Sequence, residues 1–99
     1  MGFTSIMSDG TRRSSTQISL DMLSAIKNGV SRPTRIMYEC NLSYQMCKSK
    51  LEELVVNGLV REEEVYSRST QGSHTIYEIT EKGVEMIETL KQLKNLLNL

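Results

Sequence analysis

The most restrictive feature of this sequence is a change in the spacing of its apolar residues. Up to residue 58 they recur at intervals of three and four, the spacing of amphipathic helices. Between residues 59 and 79 they flank a polar loop, residues 67–73, in the manner of a β-hairpin, and from Thr80 the helical spacing returns. A chain of 99 residues with this order is expected to be one α+β domain, mostly α.

Capping residues divide the first part of the chain into three predicted helices. The first spans residues 16–28. Ser31 is the expected cap of a second, short helix with Pro33 in its first turn, and Ser43 is the expected cap of a third helix over residues 43–57. The apolar residues predicted to share the inner faces of these helices are Ile18, Met22, Leu23, Ala25, Ile26, Ile36, Met37, Cys40, Cys47, Leu51, Leu54 and Val55.

The final predicted helix spans residues 81–99 and has more apolar surface than a small domain needs to cover. Its main stripe recurs at intervals of four, three and four residues, which is a heptad seam, at Met86, Leu90, Leu93 and Leu97. Val84, Ile87, Leu96 and Leu99 widen that stripe. The pattern predicts a partner helix from a second copy of the chain, and therefore a homodimer.

Three short helices, a hairpin and a terminal helix form the element order of a winged helix-turn-helix domain. Residues 1–15 are interpreted as a flexible tail, residues 16–80 as the winged domain and residues 81–99 as a coiled-coil dimerisation helix. In this arrangement helix 43–57 enters the major groove of double-stranded DNA, and the wing, residues 67–74, touches the backbone or the minor groove. The candidate DNA-binding residues are Arg35, Ser43, Tyr44, Gln45, Lys48, Ser49 and Arg68.

Several of these assignments have an alternative. Tyr44 either contacts DNA or packs across the turn against the second helix. Arg35 either binds a phosphate or pairs with Glu39 one turn along. Arg68 either touches the DNA backbone or is an ordinary residue of an exposed loop.

The net charge is zero, but the two halves of the chain differ in sign. Residues 1–50 have seven basic and three acidic residues, a net charge of +4, and residues 51–99 have five basic and nine acidic residues, a net charge of −4. An anion-binding surface is therefore expected in the first half. Around the third helix and the wing, Arg35, Lys48, Lys50 and Arg68 are partly offset by Glu52 and Glu53.

Two segments resemble a small archaeal winged-helix family. These are TRIMYECNLSYQMCKSKLEELVVNGLV, residues 34–60, and YEITEKGVEMIETL, residues 77–90. The resemblance covers residues from about 16 to 99 and implies a dimeric DNA-binding protein whose last helices form an antiparallel coiled coil. Cys47 stands where the family usually has Leu, and Lys50 where it often has an aromatic residue.

The remaining residues argue against catalysis and metal binding. Glu62, Glu63 and Glu64 alternate across a strand and do not converge, and no Ser, His and Asp set is recognisable. His74 is the only histidine and has no companion ligands, so no metal or cofactor is expected. Cys40 and Cys47 are predicted to be buried structural thiols. No apolar run is long enough to cross a membrane and no secretion signal is recognisable, so a cytoplasmic location is expected.

These observations leave two classes of function open. The leading hypothesis is a dimeric DNA-binding protein, either a transcription regulator or a sequence-independent chromosomal architectural protein, and the neutral net charge favours the regulator. The alternative is a winged-helix module that binds another protein, because this fold does not by itself fix function. A regulator that senses a small molecule would need a pocket between the winged domain and the last helix.

Overall fold

The structure, a computed structural model, describes residues 13–97. Its elements in chain order are α1 (Ser15–Lys27), α2 (Pro33–Glu39), α3 (Tyr44–Val56), β1 (Val60–Ser67), β2 (Gly72–Ile79) and α4 (Glu81–Leu97). The predicted winged helix-turn-helix order is therefore confirmed. Most of the predicted tail, residues 1–12, and the last two residues of the predicted dimerisation helix lie outside the described residues.

Side-chain caps fix the starts of α1 and α3. The Ser14 hydroxyl accepts a hydrogen bond from the Gln17 N–H at 3.0 Å, and the Ser43 hydroxyl accepts one from the Met46 N–H at 3.1 Å. The Ser43 cap was predicted. Ser14 lies in the predicted tail, so the ordered part of the domain begins at least two residues before the predicted boundary at residue 16.

Helix α2 begins one residue later than predicted, because its N-cap is Arg32 and not Ser31. Its N-cap is Arg32, which makes no side-chain capping bond, and Pro33 occupies the first helical position. Proline is favoured there because the first N–H of a helix has no intrahelical partner. Ser31 instead accepts a hydrogen bond from the Tyr77 N–H through its carbonyl oxygen at 2.9 Å, which ties the hairpin to the loop before α2.

The hairpin is longer and its loop shorter than predicted. The antiparallel register runs from Val60 opposite Ile79 to Ser67 opposite Gly72, which leaves residues 68–71 as the loop. The predicted loop, residues 67–73, was too long because the polar residues at its ends extend the ladder. Backbone pairing needs no apolar side chain, so hydropathy did not locate the ends of the strands.

The core of residues 13–97 lies where α1, α2 and α3 meet the base of the hairpin and α4. Both cysteines are buried in it, as predicted, and burial raises the pKa of the Cys40 thiol to about 11 and also raises the pKa of the Cys47 thiol. The core residues are Ile18, Leu20, Met22, Leu23, Ile26, Ile36, Cys40, Cys47, Leu51, Leu54, Leu59, Val60 and Ile87.

The base of α4 is fixed to both α3 and the hairpin. The Thr80 hydroxyl accepts from the Gly83 N–H at 3.0 Å and so caps α4, while the Thr80 N–H donates to the Leu59 carbonyl at 3.1 Å. The Lys82 ammonium donates to the Asn57 carbonyl at the end of α3, at 2.8 Å. Gly83 packs directly against the base of the hairpin: a Cβ there would overlap the Leu59 carbonyl oxygen and lie 2.8 Å from Ile79 Cγ1. These contacts fix where α4 leaves the domain.

Candidate nucleic-acid interface

Helix α3 separates an inner apolar face from an outer polar face. Cys47, Leu51 and Leu54 are buried on the inner side. The sequence-predicted contact residues on this element, Ser43, Tyr44, Gln45, Lys48 and Ser49, are all exposed. Tyr44 is 68 % exposed, so its ring is not packed across the turn into the core. The outer face therefore has hydroxyl, amide, aromatic and ammonium groups, types that contact bases and phosphates in DNA complexes.

Lys50 does not belong to this outer face. Only 7 % of the residue is exposed, and its ammonium group donates to the Ser15 hydroxyl at 2.7 Å and pairs with the Glu53 carboxylate at 3.2 Å. The prediction that Lys50 adds to the charge around α3 and the wing is therefore wrong. Its position in α3 places it towards α1, where burying an ammonium group requires such partners.

Arg35 lies on the exposed side of α2. Within residues 13–97 it forms no ion pair with Glu39, which was the alternative to phosphate binding. Arg35 is therefore accessible from solvent in the first turn of α2.

The loop of the wing presents a second exposed cation, Arg68. Beside it the hydroxyl groups of Ser67 and Ser69 lie 2.9 Å apart, and Gln71 has a φ of 54°, a left-handed conformation that reverses the chain before β2. The tip of the hairpin is thus polar and positively charged.

Below the tip, the hairpin face that looks towards α3 is acidic. Thr75 and Tyr77 of β2 line the cleft beside α3, and their cross-strand partners are Glu64 and Glu62. Directly opposed residues of an antiparallel pair share a face, so both carboxylates lie on the α3 side, whereas Glu63 lies on the other face. The pKa of the Tyr77 hydroxyl is raised by burial and then by Glu62, which agrees with this placement.

A cleft of about 280 Å³ lies between α2, α3 and β2. Tyr44 and Lys48 contribute to its wall from α3, together with the buried Cys47, whose thiol lies 3.8 Å from the Pro33 carbonyl. The structure therefore brings together Ser43, Tyr44, Gln45, Lys48 and Ser49 on one helix face, and it places Arg68 on a different element, the loop of the hairpin.

The predicted dimerisation seam divides into two parts. Met86 and Leu90 are half-buried against the core of their own chain, whereas Leu93 and Leu97 are 45 % and 55 % exposed. Ile87, predicted to widen the seam, belongs instead to the core. A groove of about 540 Å³ lies between α1 and α4 and is lined by Leu20, Leu90, Leu93, Arg13, Ser14, Thr16, Gln17 and Lys94.

Residues 13–97 contain no group of three or more His, Cys, Asp and Glu side chains arranged to hold a metal ion. His74 is half-buried in β2 opposite Val65. No helix in this part of the chain is long and apolar enough to cross a membrane.

Comparison with known proteins agrees with this architecture. The chain is 26 % identical over 87 residues to the uncharacterized protein MJ0287 of Methanocaldococcus jannaschii, covering 88 % of this chain and 79 % of that protein. It is similar in structure to Sso10a-2, a DNA-binding protein from Sulfolobus solfataricus, with a TM-score of 0.68, 23 % identity and coverage of 87 % and 83 %.

A PadR family transcription regulator from Clostridium difficile R20291 has a TM-score of 0.75 with 16 % identity, covering 82 % of this chain and 90 % of the regulator. At such identities the structural similarity establishes the fold. The model of one sequence family, described as winged helix-turn-helix, matches residues 12–98. That match covers nearly the whole sequence, and the chain therefore belongs to the winged helix-turn-helix family.

Proposed function

We propose that this chain is a dimeric DNA-binding transcription regulator that places α3 in the major groove. The observation that supports this most directly is the outer face of α3, where every predicted contact residue is exposed. A helix with side chains is about 10–12 Å across and the major groove is about 12 Å wide, so α3 fits with this face towards the bases. The Sso10a-2 and PadR similarities support the same use of the fold.

Charge along the proposed interface favours sequence-dependent binding over general coating of DNA. The α3 face contributes Lys48, α2 contributes Arg35 and the wing tip contributes Arg68, whereas Glu62 and Glu64 line the hairpin between the tip and α3. Phosphates are repelled by those carboxylates, so the backbone contacts α3 and the tip but not the base of the wing. Few phosphate contacts give weak nonspecific binding, as a regulator requires.

The proposed dimer is antiparallel and forms through α4. Leu93, Leu96 and Leu97 are exposed, and burying each large apolar side chain contributes roughly 1.5 to 3 kcal/mol. The antiparallel orientation rests on the family resemblance. In that orientation residue 97 of one chain lies far from residue 97 of its partner, so Leu97→Cys chains do not cross-link to each other under mild oxidation. Efficient cross-linking at that position would indicate a parallel pair.

A salt-titrated binding measurement tests the proposed DNA contacts. Lys48→Ala and Arg68→Ala are expected to weaken binding to duplex DNA without lowering the melting temperature, because both side chains are exposed. Loss of a phosphate contact lowers the slope of log K against log salt by about one unit, whereas loss of a base contact reduces discrimination between sequences. Lys27→Ala, an equal charge loss at the exposed end of α1, is the control and leaves binding unchanged.

The same titration separates regulator from architectural protein. A regulator binds its preferred genomic fragments roughly 10³-fold or more tightly than random duplex, while an architectural protein binds both alike with a steep salt slope.

Tyr44→Ala is expected to reduce the affinity for DNA more than it reduces the stability of the domain. A large fall in melting temperature with intact binding would remove Tyr44 from the contact set.

The acidic hairpin face supports a second candidate, a module that binds a basic protein partner. Glu62 and Glu64 are exposed on one face of β1 and would meet such a partner without repulsion. If the wild-type protein binds neither random nor genomic duplex at low salt, this second candidate replaces the first.

A further inference from the structure

The Arg13 side chain binds the turn between α2 and α3, although Arg13 precedes Cys40 by 27 residues in the sequence. Its guanidinium Nη2 donates to the Cys40 carbonyl at 2.5 Å and to the Asn41 carbonyl at 3.2 Å. These carbonyls belong to the C-cap of α2 and to a residue with a φ of 56°, the point at which the chain reverses before α3. The orphan carbonyls at the end of α2 therefore receive a charged donor from the segment before α1.

A continuous chain of hydrogen bonds runs from Arg13 to the last helix. Arg13 Nη1 pairs with Asp21 Oδ2 at 2.6 Å, and Asp21 Oδ1 accepts from Gln17 Nε2 at 2.8 Å. Gln17 Oε1 in turn accepts from Lys94 Nζ at 2.6 Å. The turn before α3 and the second half of α4 are thus connected through two side chains of α1.

The hydrogen bonds at the Arg13 end of this chain are shielded from water. The side chains of Arg13 and Asp21 are only 19 % and 31 % exposed, so neither partner is freely exchanged for water. Arg13, Gln17 and Lys94 also line the groove between α1 and α4. Any shift of α4 relative to α1 changes the distance from Lys94 to Gln17 and so acts on Asp21 and Arg13.

We propose that Arg13 is a positioning residue for α3, and that Lys94, Gln17 and Asp21 connect its hydrogen bonds at the turn to the position of α4. This inference rests on the proposed function, because its consequence is a change in DNA affinity. The planar guanidinium spans the carboxylate and two carbonyls together, and an ammonium group has no such geometry. Orientation of α3 therefore depends on an arginine at position 13 and not only on a positive charge.

Arg13→Lys tests the positioning role, because it keeps the positive charge and removes the planar guanidinium group. We expect DNA affinity to fall five- to tenfold with an unchanged salt slope and an unchanged dimer by sedimentation. Retained affinity would mean that Arg13 acts only as a charge and would overturn the proposal. A lower melting temperature with unchanged affinity of the folded protein would reduce Arg13 to a stabilising contact, which also overturns it.

Lys94→Met tests the link to α4, with Lys91→Met as a matched control on the exposed side of the same helix. We expect Lys94→Met to lower affinity about three- to fivefold and to move the amide chemical shifts of residues 40–43, and Lys91→Met to do neither. The double variant Arg13→Lys with Lys94→Met should bind no more weakly than Arg13→Lys alone. Additive losses, or unmoved shifts at residues 40–43, would overturn the link.

Failure of the proposed function gives a different result. If wild-type protein binds DNA and Lys48→Ala weakens that binding, but Arg13→Lys and Lys94→Met do not, only the positioning inference fails. If wild-type protein does not bind duplex DNA, the proposed function fails and so does the predicted effect of Arg13 on DNA affinity. The chemical-shift response to Lys94→Met is measured without DNA and tests the connection itself in either case.

Discussion

The two halves of α4 have similar apolar content and different environments. In the first half, Gly83 and Ile87 are buried against the hairpin and the core, and Thr80 and Lys82 bind the chain around the end of α3. In the second half, Leu93, Leu96 and Leu97 are exposed. A heptad pattern in the sequence therefore contains two kinds of apolar residue, some needed to fold one chain and some left for association with another.

The first half should be the more sensitive to substitution, and Gly83→Ala is expected to have the largest effect. The new methyl group would overlap the Leu59 carbonyl oxygen and crowd Ile79, and backbone is unable to move aside cheaply. We expect a loss of about 3 kcal/mol or more, enough to unfold much of a small domain. Circular dichroism and urea unfolding measure it.

Gly72→Ala is the control for that substitution. A Cβ at Gly72 would meet only the Thr70 carbonyl, at 3.9 Å, so its cost should stay below about 1 kcal/mol. Equal losses at both glycines would show that close packing at the base of α4 is not what distinguishes its first half.

Ile87→Ala is expected to rank next. Ile87 is 1 % exposed, and truncating a buried isoleucine costs about 2 to 5 kcal/mol. Leu96→Ala, in an 81 % exposed residue, should change stability by less than about 0.5 kcal/mol. Both are to be measured by urea unfolding at concentrations where sedimentation shows a monomer. Similar losses of stability in the two variants would contradict the proposed difference between the two halves of α4.

Association should depend on the second half alone. Leu93→Glu combined with Leu97→Glu is expected to raise the dimer dissociation constant at least about 100-fold, because it places carboxylates in an apolar seam, while the helical signal is retained. Gln92→Glu combined with Asn95→Glu adds the same charge at exposed positions outside the seam and should leave the dimer intact. A wild-type protein that sediments as a monomer at tens of micromolar would contradict the proposed dimer.

The smallest expected effect comes from the polar contact at the base. Lys82→Met removes the hydrogen bond to the Asn57 carbonyl and should cost about 1 kcal/mol, whereas Lys91→Met should cost nothing measurable. A difference in melting temperature of a few degrees between the two variants is the readout. No difference would assign the fixation of α4 to Thr80 and Gly83 alone.

Local patterns predicted the parts of this fold that depend on local interactions. The spacing of apolar residues located all four helices, and Ser43 was identified as a cap because its partner is three residues away. The same spacing placed the outer face of α3 correctly in solvent. These predictions hold because helix geometry fixes which residues share a face.

Contacts between distant residues were not predictable in this way. Arg13 was assigned to the tail because its partners at Asp21, Cys40 and Asn41 lie 8 to 28 residues away, and Lys50 was treated as a surface charge because lysine usually is one. The acidic face of the hairpin was missed for another reason. A loop over residues 67–73 shifts the pairing by one residue, and a shift of one reverses which side chains share a face across the hairpin.

The bonds that hold Thr80, Lys82 and Gly83 against α3 and the hairpin also bear on how such a dimer changes during evolution. With the base of α4 fixed, the separation of the two α3 helices in the proposed dimer is set by where the two free halves of α4 cross. Shifting the register of the paired helices by one heptad displaces one domain along the other by about 10 Å, the length of roughly three base pairs. Operators with new half-site spacing then become accessible through substitutions beyond residue 87, with the DNA-reading surface itself left untouched.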